Sequence, residues 1–153
     1  MPHQEIEGVI NSALRQLKQE CPPLDFLNVH ERSITHRLAV HMEPLFPGWN
    51  VDCEYDKDGD IRKAVEGIAD CNARKKTDDI FPDIIVHHRT RLGADNNLLV
   101  IEMKKENEED VCDTRKLELL TDPQGHYRYQ FGLYINVVVE GFVCTWYENG
   151  HRI

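Results

Sequence analysis

No apolar run in this 153-residue chain approaches the roughly 18 residues that a membrane-spanning helix needs. The first stretch, Met1 to Glu20, is polar and mixed in charge, which does not read as a secretory signal. Cysteines number five, an odd count, and no CxxC pair occurs among them. That pattern argues against a zinc ribbon or a disulfide scaffold. Reduced thiols in a cytoplasmic protein are the expectation. No internal repeat or low-complexity segment is visible. Positive charge is scarce, with 18 Lys and Arg against 27 Asp and Glu and a formal net charge of -9. Such a surface repels phosphate backbones, so the chain does not grip nucleic acid all over; a local basic groove remains compatible. What is present is ordinary: 41% hydrophobic and 29% charged residues, and a length that suits one domain over residues 1–153.

The pattern of apolar residues predicts the elements. Residues 4–20 read as an amphipathic helix, with Ile6, Val9, Ile10, Ala13, Leu14 and Leu17 near helical spacing and Cys21-Pro22-Pro23 as its stop. A second helix is expected from Asn28 to about Glu43, with Ile34, Leu38 and Met42 on its apolar stripe. Alternation predicts a strand over 49–56. The polar segment 57–80 has room for a short helical piece at Ile61–Ile68. Strands are expected at 81–88 and 97–104, joined by a hairpin loop over Arg89 to Asn96. Their consecutive apolar residues, Ile84-Ile85-Val86 and Leu98-Leu99-Val100-Ile101, suit central strands covered on both faces. A third helix over about 108–120 follows, then strands at 130–139 and 142–148 with a tight turn at Glu140-Gly141. The sum is an α/β domain with helices flanking a mixed sheet.

Two acids interrupt the apolar strands: Asp83 near the start of one and Glu102 near the end of the next. Acids are depleted in strands and rarely buried unpaired. A symmetric hairpin folded between Leu92 and Gly93 sets Asp83 opposite Glu102, within about 5 Å as cross-strand neighbours. Lys104, two residues beyond Glu102, projects from the same face, and Met103 from the opposite one. Two carboxylates so close need a neutralising partner. A hard divalent cation, Mg²⁺ or Mn²⁺, suits them, and Lys104 is placed to orient a water or to stabilise developing negative charge. The plainer alternative is a surface Asp beside a Glu–Lys ion pair.

Phe81-Pro82-Asp83, followed after a hairpin by Val100-Ile101-Glu102-Met103-Lys104, resembles the signature of the PD-(D/E)XK nuclease superfamily. The order helix, three strands, helix, strand over roughly residues 28–139 is similar to its restriction-endonuclease-like αβββαβ core. The resemblance implies a metal-dependent nuclease that hydrolyses phosphodiester bonds in nucleic acid, DNA ahead of RNA. It implies that Asp83 and Glu102 bind the metal, that the Met103 carbonyl completes the coordination, and that Lys104 assists the attacking water. Members of the superfamily often add a Glu on the helix before the first core strand. Glu31 stands in that place, on the stripe of Ile34, Thr35, Leu38 and Met42. Its competing reading is as the N3 acid of a capping pair with Asn28.

Lys105, Arg115 and Lys116 are the nearest candidates for phosphate contacts, and Tyr127, Tyr129 and Tyr134 could stack on bases, though Tyr134, inside a strand, is expected to pack instead. A homodimer is the arrangement expected of a small nuclease that cuts two strands, and no membrane contact is expected. The alternative function is an inactive nuclease-like module that binds nucleic acid or a protein partner; a hydrolase of small phosphate esters is a third. His36 and His41 are five apart, so on a helix they diverge, which ranks a zinc site below all of these.

Overall fold

The computed structural model describes residues 1–21, 28–53, 57–58, 61–62, 80–105 and 111–153. Helix α1, His3–Glu20, buries Ile6, Ile10, Ala13, Leu14 and Leu17, all on the predicted stripe. Helix α2, Glu31–Met42, buries Ile34, Thr35, Leu38, Ala39 and Met42. It begins three residues later than the sequence suggests. His30 stands at its N-cap in an extended conformation, and its carbonyl accepts from the Ser33 and Ile34 N–H groups. Glu31 is therefore the first helical residue, and the capping pair with Asn28 does not form. A 3₁₀ turn, Glu43–Leu45, follows.

Strand β1, Asn50–Cys53, opens the main sheet. A small separate hairpin joins β2, Lys57–Asp58, to β3, Ile61–Arg62. Ile61 and Arg62 are thus strand rather than helix, and the rest of the expected helical piece lies outside the described residues. Strands β4, Ile84–His87, and β5, Asn97–Lys105, form the predicted hairpin. Helix α3, Val111–Thr121, precedes β6, Phe131–Val138, β7, Gly141–Glu148, and β8, His151–Arg152. The last of these short strands was not anticipated. The β6–β7 turn centres on Val139-Glu140, one residue earlier than expected, because Val138 pairs with Gly141.

The six-stranded sheet runs β1-β4-β5-β6-β7-β8. β4 pairs antiparallel with both β1 and β5, and β6 lies parallel to β5 after the α3 crossover. β7 returns antiparallel to β6. From Ile84 to Val86 and from Leu99 to Met103 the apolar residues divide between the two faces as strand alternation requires, while Leu98, beside the bulge, joins Leu99 in the same cluster. Ile84, Val86, Leu99, Ile101 and Met103 pack with α1 and α2, together with Leu133 and Ile135 of β6. Ile85 and Val100 face the other way and pack with Leu117 and Leu120 of α3 and with Tyr127, Tyr129, Tyr134 and Tyr147. The molecule is therefore a mixed α/β fold, with a helical layer on each face of a mixed sheet. Among the described residues no helix is long and apolar enough to cross a membrane.

Two expectations change here. Cys112 is disulfide-bonded, so the thiols are not all reduced, whereas Cys21, Cys53 and Cys144 are free. Tyr127 and Tyr129 are buried beneath α3, with Tyr129 only 1% exposed, and Tyr134 packs beside them as its place in a strand suggests. Their rings fill the core and offer no platform for bases.

Candidate functional site

The β4–β5 register pairs Ile84 with Ile101, Ile85 with Val100 and Val86 with Leu99. One residue further in that register, Asp83 falls opposite Glu102. The hairpin symmetry counted from the sequence therefore holds over Ile84 to Val86. It fails at the other end, where a bulge between Val86 and His87 shifts His87 onto Asn97. Asp83 lies just before β4, and its Oδ2 accepts a 2.7 Å hydrogen bond from the Met103 N–H. That bond fixes the carboxylate against the backbone between Glu102 and Lys104.

Glu102 is 2% exposed. Its Oε2 meets Lys116 Nζ at 3.0 Å, while its Oε1 is buried without a hydrogen-bond partner among the described residues. Lys116 Nζ also contacts Asp113 Oδ1 at 2.9 Å. Lys104 lies at the rim, 39% exposed, with Nζ 4.0 Å from Asp113 Oδ2. In the parallel register Asn136 of β6 stands beside Lys104, and its Oδ1 is likewise buried and unpartnered. Met103 sends its side chain to the opposite face, where Thr35 Oγ1 lies 3.8 Å from its sulfur.

The electrostatics follow from this packing. Burial, and then the neighbouring charges of Asp113 and Glu31, push the Asp83 carboxyl up to about 6 against the pull of the Met103 N–H and Lys116. Burial and the adjacent Asp83 raise Glu102 well above the usual carboxylate range. Burial works to lower the Lys116 ammonium, but Glu102 and Asp113 outweigh it and hold the proton more firmly than on a free lysine. Both carboxyls thus hold a proton more firmly than free acids, as groups shielded from water do, even with Lys116 beside them.

Glu31 approaches from the α2 side. With Arg32, Thr35, His36, Cys53 and Asp83 it lines a cavity of about 220 Å³. Asp83 is the group that feels both helices, since Glu31 on α2 and Lys116 on α3 each act on its charge. The three candidates for phosphate contact are placed differently from one another. Lys105 Nζ donates to the Val29 carbonyl, and Arg115 is exposed and 3.5 Å from Glu118. Lys116, expected at the surface, is instead drawn under α3 onto Glu102. Asp113 was missed altogether. Its signal was present as Asp113, Lys116, Leu117 and Leu120, a stripe at helical spacing whose first turn is charged.

Among the described residues no group of three or more His, Cys, Asp or Glu side chains is arranged to hold a metal ion. The two carboxylates still fit a hard cation. Mg²⁺ commonly takes only one or two protein carboxylates and fills its remaining positions with water and substrate oxygens. Glu102 Oε1, without a partner among the described residues, supplies a suitable donor. Comparison with protein-family models, curated proteins and solved structures gave no match.

Proposed function

We propose that this chain is a PD-(D/E)XK-type nuclease that hydrolyses phosphodiester bonds in nucleic acid with the help of Mg²⁺ or Mn²⁺. The observation that carries this reading is the buried pair itself: Glu102 with an unpartnered oxygen, set opposite an Asp83 that is locked onto the intervening backbone. Proteins rarely keep a buried acid unsatisfied unless a ligand or a reaction uses it. The order of elements supports the same reading, with α2, the β1-β4-β5 meander, α3 and a parallel β6 in the succession of a restriction-endonuclease-like core.

On this reading Asp83 and Glu102 hold the cation, with the Met103 carbonyl beside them and Glu31 reaching in across the cavity. When bound, the cation supplies Lewis-acid stabilisation of charge building on the phosphoryl oxygens. Lys104, on the same face as Glu102 and open to solvent, orients the attacking water. The net charge of -9 leaves the substrate little general attraction, so a phosphate must be drawn in locally.

The direct test is cleavage of single- and double-stranded DNA, RNA and a small phosphodiester with Mg²⁺ or Mn²⁺. Asp83→Ala, Glu102→Gln and Lys104→Ala should each lower the rate about a hundredfold or more, as loss of a group acting in the transition state does. Wild-type rates in the Asp83→Ala and Lys104→Ala proteins would sink the proposal. A second reading, a non-catalytic binding module for nucleic acid or a protein, draws on the Lys116–Glu102 ion pair, which already half-neutralises the site. Absence of Mn²⁺ binding by calorimetry would select it.

A further inference from the structure

Lys104 is the lysine that the sequence pairs with the acids, yet the cation in contact with Glu102 comes from α3. Lys116 Nζ stands 3.0 Å from Glu102 Oε2 and 2.9 Å from Asp113 Oδ1, and the side chain is 16% exposed. A lysine is rarely drawn so far under a helix unless anionic partners hold it. Asp113 sits one turn earlier on the same helix, so it holds Lys116 whatever happens at Glu102. The other oxygen of Glu102 is buried and has no partner among the described residues, which marks a second binding position on the same carboxylate.

An ammonium and a divalent cation seek the same oxygens. A metal ion coordinated by Glu102 would lie about 2.0–2.6 Å from its oxygen, a few ångströms from Lys116 Nζ. Two cations that close repel strongly in a shielded site. The geometry points to Lys116 as the resident counter-cation of the site: it holds Glu102 in place in the metal-free protein and must withdraw from Glu102 toward Asp113 when a divalent cation binds. The lysine and the metal therefore compete for one carboxylate. This inference rests on the metal-binding reading above and adds to it a device that sets metal affinity. Its consequences are two. Glu102 is held near Asp83 before metal arrives, because the Lys116 ammonium on Glu102 offsets part of the negative charge there. The affinity for the metal is lower than two buried carboxylates alone would give, because the ammonium must first be displaced.

The test is calorimetric titration of Mn²⁺ into wild-type, Lys116→Met and Lys116→Arg proteins, with thermal unfolding of each as a check on folding. Competition predicts that Lys116→Met binds Mn²⁺ about tenfold more tightly, the low end of what a close charge interaction changes in a binding equilibrium. Lys116→Arg, which keeps the charge, should stay near the wild-type value. Equal or weaker binding in Lys116→Met would overturn the inference and leave the metal reading standing, since Lys116 would then merely pin α3 to the sheet. Failure of both wild-type and Lys116→Met proteins to bind Mn²⁺ would overturn the metal reading and this inference with it. Binding by Lys116→Met alone would support the competition while showing the wild-type site closed to metal. Where Lys116→Met does not fold, the ¹⁵N signal of the Lys116 ammonium in wild-type protein serves instead. It should shift as Mg²⁺ saturates the site; an unchanged signal at saturation, judged from the amides of residues 102–104, overturns the inference.

Discussion

Asp83 accepts the Met103 N–H while Asp113 and Glu31 add negative charge around a half-buried carboxyl. Its folded value near 6 lies above the ordinary 3.8, so the folded protein binds this proton more tightly than the unfolded chain does. The stability it contributes is therefore fully present below about pH 4 and is lost as pH rises through about 6. In metal-free protein Asp83→Asn should escape that loss, because the amide oxygen still accepts from Met103 and carries no charge. We expect Asp83→Asn to be more stable than wild type by roughly 1 kcal/mol at pH 7.5, a figure discounted for partial exposure. The gap should close near pH 4. Urea unfolding at the two pH values checks this, and a gap that stays constant with pH would show that Asp83 is not the titrating group. For metal the sign reverses: the cation needs the ionised carboxylate, so Mn²⁺ affinity should rise as pH passes through about 6.

At the scale of elements, the site depends on how closely α3 lies on the sheet. Gly132 of β6 is where the two meet. A Cβ there would come within 3.1 Å of Thr121 Cγ2, 3.2 Å of Tyr147 Cβ and 3.4 Å of Leu117 Cδ2. Tyr147 Cβ is tied to its backbone and cannot swing away, and the other two belong to α3. Gly132→Ala should therefore lift the helix and cost about 1–3 kcal/mol, the usual range for overpacking a tight core. Denaturant unfolding measures it; a variant as stable as the parent would mean that α3 does not bear on β6 at that point. The same helix marks the limit of what the sequence discloses. The β4–β5 hairpin was legible because strand alternation and symmetry fix register by counting, and Ile84 pairs with Ile101 as counted. The bulge at Val86/His87 was not, since nothing in residue types signals one extra backbone step there. In α3, Val111 is apolar but 76% exposed, whereas Asp113 and Thr121 are buried. Hydrophobic spacing alone thus misses the inward face of its first turn, and Lys116, read as a candidate phosphate contact, turns inward with Asp113. Glu31 shows the reverse case: the helix starts at Glu31 itself, which sets the cap motif aside, and the acid lines a cavity with Thr35 and Asp83.

Taken whole, the molecule sets the buried Glu102 and the partly buried Asp83 in a chain of net charge -9. An acidic surface attracts divalent cations weakly at many points, so binding of Mn²⁺ alone does not identify a site. Salt and stability distinguish the cases. At about 0.15 M salt, surface attraction is screened over roughly 8 Å, whereas a shielded pair is screened far less. A site that forms only in the folded chain must also stabilise it. At a hundred times its dissociation constant, Mn²⁺ should add about 2.7 kcal/mol and raise Tm by roughly 5–10 °C for a chain of this size. Scanning calorimetry in 0.15 M NaCl should show that shift in wild-type protein and its loss in Asp83→Ala and Glu102→Gln. Glu118→Gln, which removes an exposed acid from α3 beyond the site, should keep it. If all three variants reduced the shift equally, the cation would be answering to the overall negative charge, and the pairing of Asp83 with Glu102 would carry no ligand.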